Sequence, residues 1–141
     1  MADTGYNWAA AWVFAKNGAG ADWNANALAN AATLTSNTAI SLDVIAACEV
    51  GIALYEDNTG AITGVVTVYV LGSGGGIADE ETTIGSAYSF TITPVQNDTV
   101  YKRFSVDPGA YGDFKIAVTN ASGQELAVSV KYRTATIPVA S

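Results

Sequence analysis

The sequence predicts an all-β protein, a single β-sandwich of jelly-roll or immunoglobulin-like type with an irregular N-terminal arm. Three observations predict it. From residue 38 to residue 133 one strand-like segment follows another, with no helix-length pattern between them. Turn residues recur at regular spacing between those segments. The chain is 141 residues long and half hydrophobic, enough for one domain with a true core.

Residues 1–31 read differently from the rest. They are rich in Ala, Asn and Gly, and they carry all three tryptophans, Trp8, Trp12 and Trp23, with Tyr6 and Phe14. A four-residue spacing lets Trp8 and Trp12 share one face of a short helix, whereas Trp12, Phe14 and Lys16 alternate as a strand would. Gly18 and Gly20 interrupt either pattern. Ala25 to Ala32 has the composition of a helical turn or two. The expected division is therefore an arm over 1–31 and a sandwich over 32–141.

The sandwich strands follow in order. Ile40, Leu42 and Val44 alternate with Ser41 and Asp43. Val50, Ile52 and Leu54 come next and end at the turn Glu56-Asp57-Asn58-Thr59-Gly60. Val66, Val68 and Val70 alternate with Thr67, Tyr69 and Leu71, apolar or aromatic on both faces, as a central strand or a partner-facing strand requires. The loop Gly72 to Gly76 breaks the run. Tyr88, Phe90 and Ile92 share a face, stopped by Pro94; Phe104 and Val106 share another, stopped by Asp107-Pro108-Gly109. In that turn Pro presets φ and Gly tolerates positive φ. Phe114, Ile116 and Val118 precede a turn at Asn120 to Gly123, and Leu126, Val128, Val130 and Tyr132 end the series. If these residues point inward, Lys115, Lys131 and Arg133 point outward, joined by Arg103 when Phe104 is inward. A basic stripe on one sheet face follows, either an ordinary solvated surface or a docking surface for an acidic partner.

Charge narrows the function. Charged residues are 13% of the chain, about half the usual share of roughly 25%. Such a surface is finished with Ser, Thr, Asn and Gly or covered by neighbouring chains. The net charge of −7 disfavours nucleic acid as a partner. It divides into −9 over residues 1–100, where Lys16 is the only base, and +2 over residues 101–141. An acidic front and a basic back suit pairing between copies.

Little catalytic equipment is visible. The chain has no histidine and a single cysteine, so no intrachain disulfide can form. Cys48, in Ile45-Ala46-Ala47-Cys48, reads as a small buried position without a base to activate it. Gly72-Ser73-Gly74-Gly75-Gly76 lacks the Lys-Ser/Thr ending of a phosphate loop. Asp79, Glu80 and Glu81 match no ordered calcium loop and read as a solvated acidic tip. No cofactor, metal site or enzymatic activity is expected. Neither a secretory signal nor a membrane-length apolar stretch is visible, so cytoplasmic production and no membrane partner are expected.

A resemblance adds to this. At Ala47-Cys48-Glu49-Val50-Gly51-Ile52, Val66-Thr67-Val68-Tyr69-Val70-Leu71, Phe104-Ser105-Val106-Asp107-Pro108-Gly109, Phe114-Lys115-Ile116-Ala117-Val118-Thr119-Asn120 and Val128-Ser129-Val130-Lys131-Tyr132-Arg133-Thr134-Ala135-Thr136-Ile137, the chain resembles small β-sandwich structural proteins of tailed bacteriophages. The likeness covers about residues 38–138 and is one of strand–turn rhythm; no site residues carry over from it. It implies a capsid decoration (cement) protein on the virion surface, assembled in the host cytoplasm, bound to the major capsid protein and homo-oligomeric as a dimer or trimer. The alternatives are a neck or tail connector, a carbohydrate-binding module using exposed aromatics, and a hydrolase with paired acids. The interface residues expected are Trp8, Trp12, Phe14, Trp23, Arg103, Lys115, Lys131 and Arg133.

Overall fold

The computed structural model describes residues 7–9, 11–37, 39–43, 45–56, 60–72, 88–108 and 112–137. Among them there is no helix. The described residues form eleven strands: β1 (Asn7–Trp8), β2 (Val13–Phe14), β3 (Asn26–Leu28), β4 (Thr33–Thr35), β5 (Ile40–Ser41), β6 (Ala47–Tyr55), β7 (Val66–Gly72), β8 (Tyr88–Ile92), β9 (Thr99–Val106), β10 (Asp113–Asn120) and β11 (Leu126–Thr136).

The strands make two antiparallel sheets. Sheet I runs β1-β11-β6-β9, with β2 and β3 also pairing with β11. Sheet II runs β4-β10-β7-β8, with β5 also on β10. The pairings nest. The first strands pair with the last, β4 and β5 with β10, β6 with β9, and β7 with β8. This is one long hairpin, closed between β7 and β8 and wrapped so that its partners divide between two sheets. That is the jelly-roll order; of the two sandwich types the sequence left open, the strand order selects this one.

Alternation builds the core as expected. Cys48, Val50, Ile52 and Leu54 of β6 and Leu126, Val128 and Val130 of β11 face Val66, Val68 and Val70 of β7 and Phe114, Ile116 and Val118 of β10. Each such side chain, fully buried, contributes about 1.5–3 kcal/mol. The expectation of a central strand at Val66–Leu71 holds: β7 lies between β10 and β8, and Leu71 and Ala117 are buried on its outer side and on that of β10.

The N-terminal segment folds back onto the sandwich. β1, β2 and β3 lie successively along β11, pairing Trp8 with Ala135, Phe14 with Lys131, and Leu28 with Leu126. Three short pieces take the place of one long edge strand because two interruptions divide them. One is a turn after Lys16, where Asn17 Oδ1 accepts the N–H groups of Ala19 and Ala21 and Gly20 sits at φ 82°. The stretch Ala25 to Ala32 is likewise strand and turn; Ala25 and Ala31 take positive φ, which a helix does not permit. Trp23 anchors the segment: its N–H donates to the Ala15 carbonyl at 2.8 Å and its own carbonyl accepts from Val130 N–H at 3.0 Å.

The turn after β10 is held by Asn120, fully buried. Its Nδ2 donates to the carbonyls of Leu28 (2.9 Å) and Gln124 (2.7 Å), and its Oδ1 accepts from the N–H (3.0 Å) and hydroxyl (2.6 Å) of Ser122. Gly123 completes the turn at φ 91°, where other residues are strained. The Gly72–Gly76 loop beyond Gly72, the acids Asp79 to Glu81, residues 57–59, Val44 and Gly109 lie outside the described residues.

Candidate functional site

The outer face of sheet I gathers most of the expected interface residues. Register puts them there: Arg133 is opposite Glu49, Lys131 opposite Gly51, and Gly51 opposite Arg103. The next row is Ser129, Ala53 and Tyr101. Trp12 and Phe14, two residues apart, rise from the β2 edge beside them.

Arg133 is committed to structure. Its guanidinium stacks on the rings of Trp8 and Trp12, 4.4 and 4.9 Å from their centroids. Its Nε and Nη2 donate to Glu49 Oε2 at 3.1 and 2.9 Å. The group therefore clamps the N-terminal segment onto β11 and β6, and its charge is already matched. Lys131 lies with its Nζ 4.5 Å from the Phe14 ring centroid.

Between the aromatic edge and β9 runs an open trough of about 720 Å³. Gly51 and Ala53 form its floor, Trp12 and Phe14 one wall, and Tyr101 and Arg103 the other. The absence of a side chain on Gly51 makes the depth; a Cβ there would meet the Trp12 ring at 3.6 Å, ordinary contact. Tyr101 is 77% exposed. Lys102, Arg103 and Lys131 all border the trough, no Asp or Glu among the described residues does, and among those residues none of the three cations has a carboxylate partner. Arg103 and Lys131, without carboxylate partners among the described residues, thus face one concavity on an acidic chain, and Lys102, opposite the inward-facing Ile52, adds its charge from the other face of β9. Such a site can hold an anion beside an aromatic or apolar group.

Two expected residues do not belong. Trp23 is wholly buried in the core, so it faces no partner. Its place follows from the backbone bonds that turn it inward between Ala15 and Val130. Lys115 is on β10 in sheet II, opposite Leu71, so the basic stripe comprises Arg103, Lys131 and Arg133 without it. Tyr101, Lys102 and Gly51 were not singled out from sequence. Their signal lies in strand order, which only the pairing of β6 with both β9 and β11 supplies.

Elsewhere the chemistry is sparse. Cys48 is buried, and burial first, with the Glu49 carboxylate second, pushes its thiol up to about 11. Such a thiol stays protonated and unreactive at neutral pH. Among the described residues no group of three His, Cys, Asp or Glu side chains is placed to hold a metal ion, and no helix is long and apolar enough to cross a membrane.

No protein-family model and no curated protein matches this chain. Among solved structures it is similar to a Bacillus endospore appendage protein described as forming disulfide-linked pili, at 10% identity and TM-score 0.39 over 98% of this chain and 96% of that one. It is also similar to an arabinose-bound GH51 α-L-arabinofuranosidase, at 9% identity and TM-score 0.36 over 83% of this chain and 18% of the enzyme. Neither likeness assigns a function.

Proposed function

We propose that this chain is a structural virion protein of a tailed phage, a capsid decoration subunit that holds an acidic partner against the outer face of sheet I. One observation carries the reading. An acidic, charge-poor chain places Arg103 and Lys131, without carboxylate partners among the described residues, around one aromatic trough, with the charge of Lys102 beside them on β9. Arginine and aromatic side chains together are the composition of a binding hot spot, and contact with a partner would take these exposed cations out of water. The partner expected is the major capsid protein, with the chain itself a dimer or trimer. The strand–turn likeness to phage structural proteins over about residues 38–138 supports the setting.

Tyr101 favours a second reading. Its ring stands exposed across the trough from Trp12 and Phe14, as in a carbohydrate-binding module. Quantitative mass spectrometry of purified particles separates the two. A ratio to the major capsid protein near one, or a simple fraction of it, is the expected result. A handful of copies per particle moves the chain to the neck or tail. Absence from particles refutes a virion role and leaves the saccharide module as the better account.

A further inference from the structure

We propose that β9 is an open sheet edge that accepts an extended acidic segment of a partner protein as an added strand, a reading that rests on sheet I being the docking face. β9 is eight residues long and ends sheet I; among the described residues it pairs with β6 alone. The opposite edge of the same sheet is broken into β1, β2 and β3, and the edges of sheet II are shorter: β8 has five residues, and β4 and β5 have three and two. Among the described residues, β9 is therefore the longest continuous edge, with N–H and C=O groups on its outer side that no described strand pairs. Edges of this kind accept an added strand through main-chain hydrogen bonds.

Exposure along β9 agrees. A strand set flush in a two-layer sandwich buries every second residue. In β9 three consecutive residues, Tyr101, Lys102 and Arg103, are exposed, flanked by half-buried Val100 and Phe104. Both sides of the strand are thus uncovered at its middle, as they would be where a neighbouring strand completes the surface.

Charge selects the occupant. Antiparallel pairing of β9 with the β9 of a second copy would crowd Lys102 and Arg103 against the same cations, which is unfavourable. A strand carrying two adjacent acids relieves both. Successive side chains point to opposite faces, so one acid meets Lys102 and the next meets Arg103 on the outer face.

The test uses the blocked peptide Val-Thr-Val-Glu-Glu-Val-Thr-Val on the full-length protein, followed by amide NMR and hydrogen exchange. The result expected is slowed exchange at the β9 amides that point away from β6, with none at β8. Replacing Glu-Glu by Lys-Lys is expected to weaken binding by about tenfold or more, and the Lys102→Glu/Arg103→Glu variant to reverse that preference. The same peptide N-methylated at alternate residues is expected not to bind. Equal binding of the N-methylated peptide overturns strand addition and leaves charge alone. Slow exchange in the free protein at the β9 amides that point away from β6 also overturns it, because the edge would then be occupied. Displacement by oligogalacturonate, with no protection by the peptide, makes the face a saccharide site. Capsid binding distinguishes the underlying reading. If the double variant loses capsids while the peptide protects nothing, the docking face stands and strand addition fails; if it keeps capsids, the docking face itself is wrong.

Discussion

Replacing Trp23 by Ala tests whether residues 7–28 are part of the sandwich or an appendage to it. The indole is fully buried, and its backbone is bonded to Ala15 and Val130. Truncating a buried Trp removes its transfer free energy and leaves a cavity, together about 3–5 kcal/mol. One contribution runs the other way. Trp23 Nε1 has no hydrogen-bond partner among the described residues, and an unmet buried donor costs about 1–3 kcal/mol that the substitution relieves. The net loss is about 1–3 kcal/mol, which for a chain of this size lowers Tm by roughly 3–12 °C. Trp23→Phe keeps most of the ring and deletes the orphan donor, so it is expected within about 1 kcal/mol of the parent. Calorimetry at two protein concentrations reads both variants and removes any contribution from assembly. An unchanged, concentration-independent Tm for Trp23→Ala would refute the reasoning: the segment would then not be packed in the core.

Three further outcomes are expected. Arg133→Lys loses the planar stack on Trp8 and Trp12 and the two-nitrogen contact with Glu49; urea unfolding is expected to register about 1–2 kcal/mol. Asn120→Ala leaves the Leu28 and Gln124 carbonyls without their side-chain donor, at about 2–4 kcal/mol in the same measurement. Cys48 is expected to resist a thiol reagent at pH 8 until the chain unfolds. Its folded pKa of about 11 lies above the ordinary 9.0, so between those values the unfolded chain binds fewer protons. Its contribution is therefore complete below pH 9 and declines as pH rises through about 11, which urea titrations across that range will detect as falling stability.

Strand positions were legible in the sequence wherever burial is one-sided. Val128 and Val130 alternate with Ser129 and Lys131 because one face of β11 meets the core and the other does not. The N-terminal segment was not legible, because β1 and β2 are two residues each, too short to establish a period. There pairing with a long finished strand, rather than local propensity, decides the conformation. Trp23 illustrates the same limit: an indole in a polar, glycine-rich stretch suits an interface or a core equally well, and only the Ala15 and Val130 bonds choose. The site was half legible. Alternation placed Lys131 and Arg133 outward, but whether Arg103 or Lys115 joins them depends on which strands are neighbours. That is a property of topology. β6 sits between β11 and β9, so Arg103 joins and Lys115 does not.

The central claim is that the cations of sheet I hold an acidic partner on a particle. The most direct measurement is co-sedimentation of the Arg103→Glu/Lys131→Glu variant with capsids stripped of this chain, beside the parent protein. Both side chains are on the outer sheet face, so the variant is expected to fold normally, with the parent's Tm within a few degrees. The account predicts that the parent saturates the capsids and that the variant binds at least about tenfold more weakly, the parent's own binding weakening as salt is raised. Equal saturation by the two proteins would contradict it.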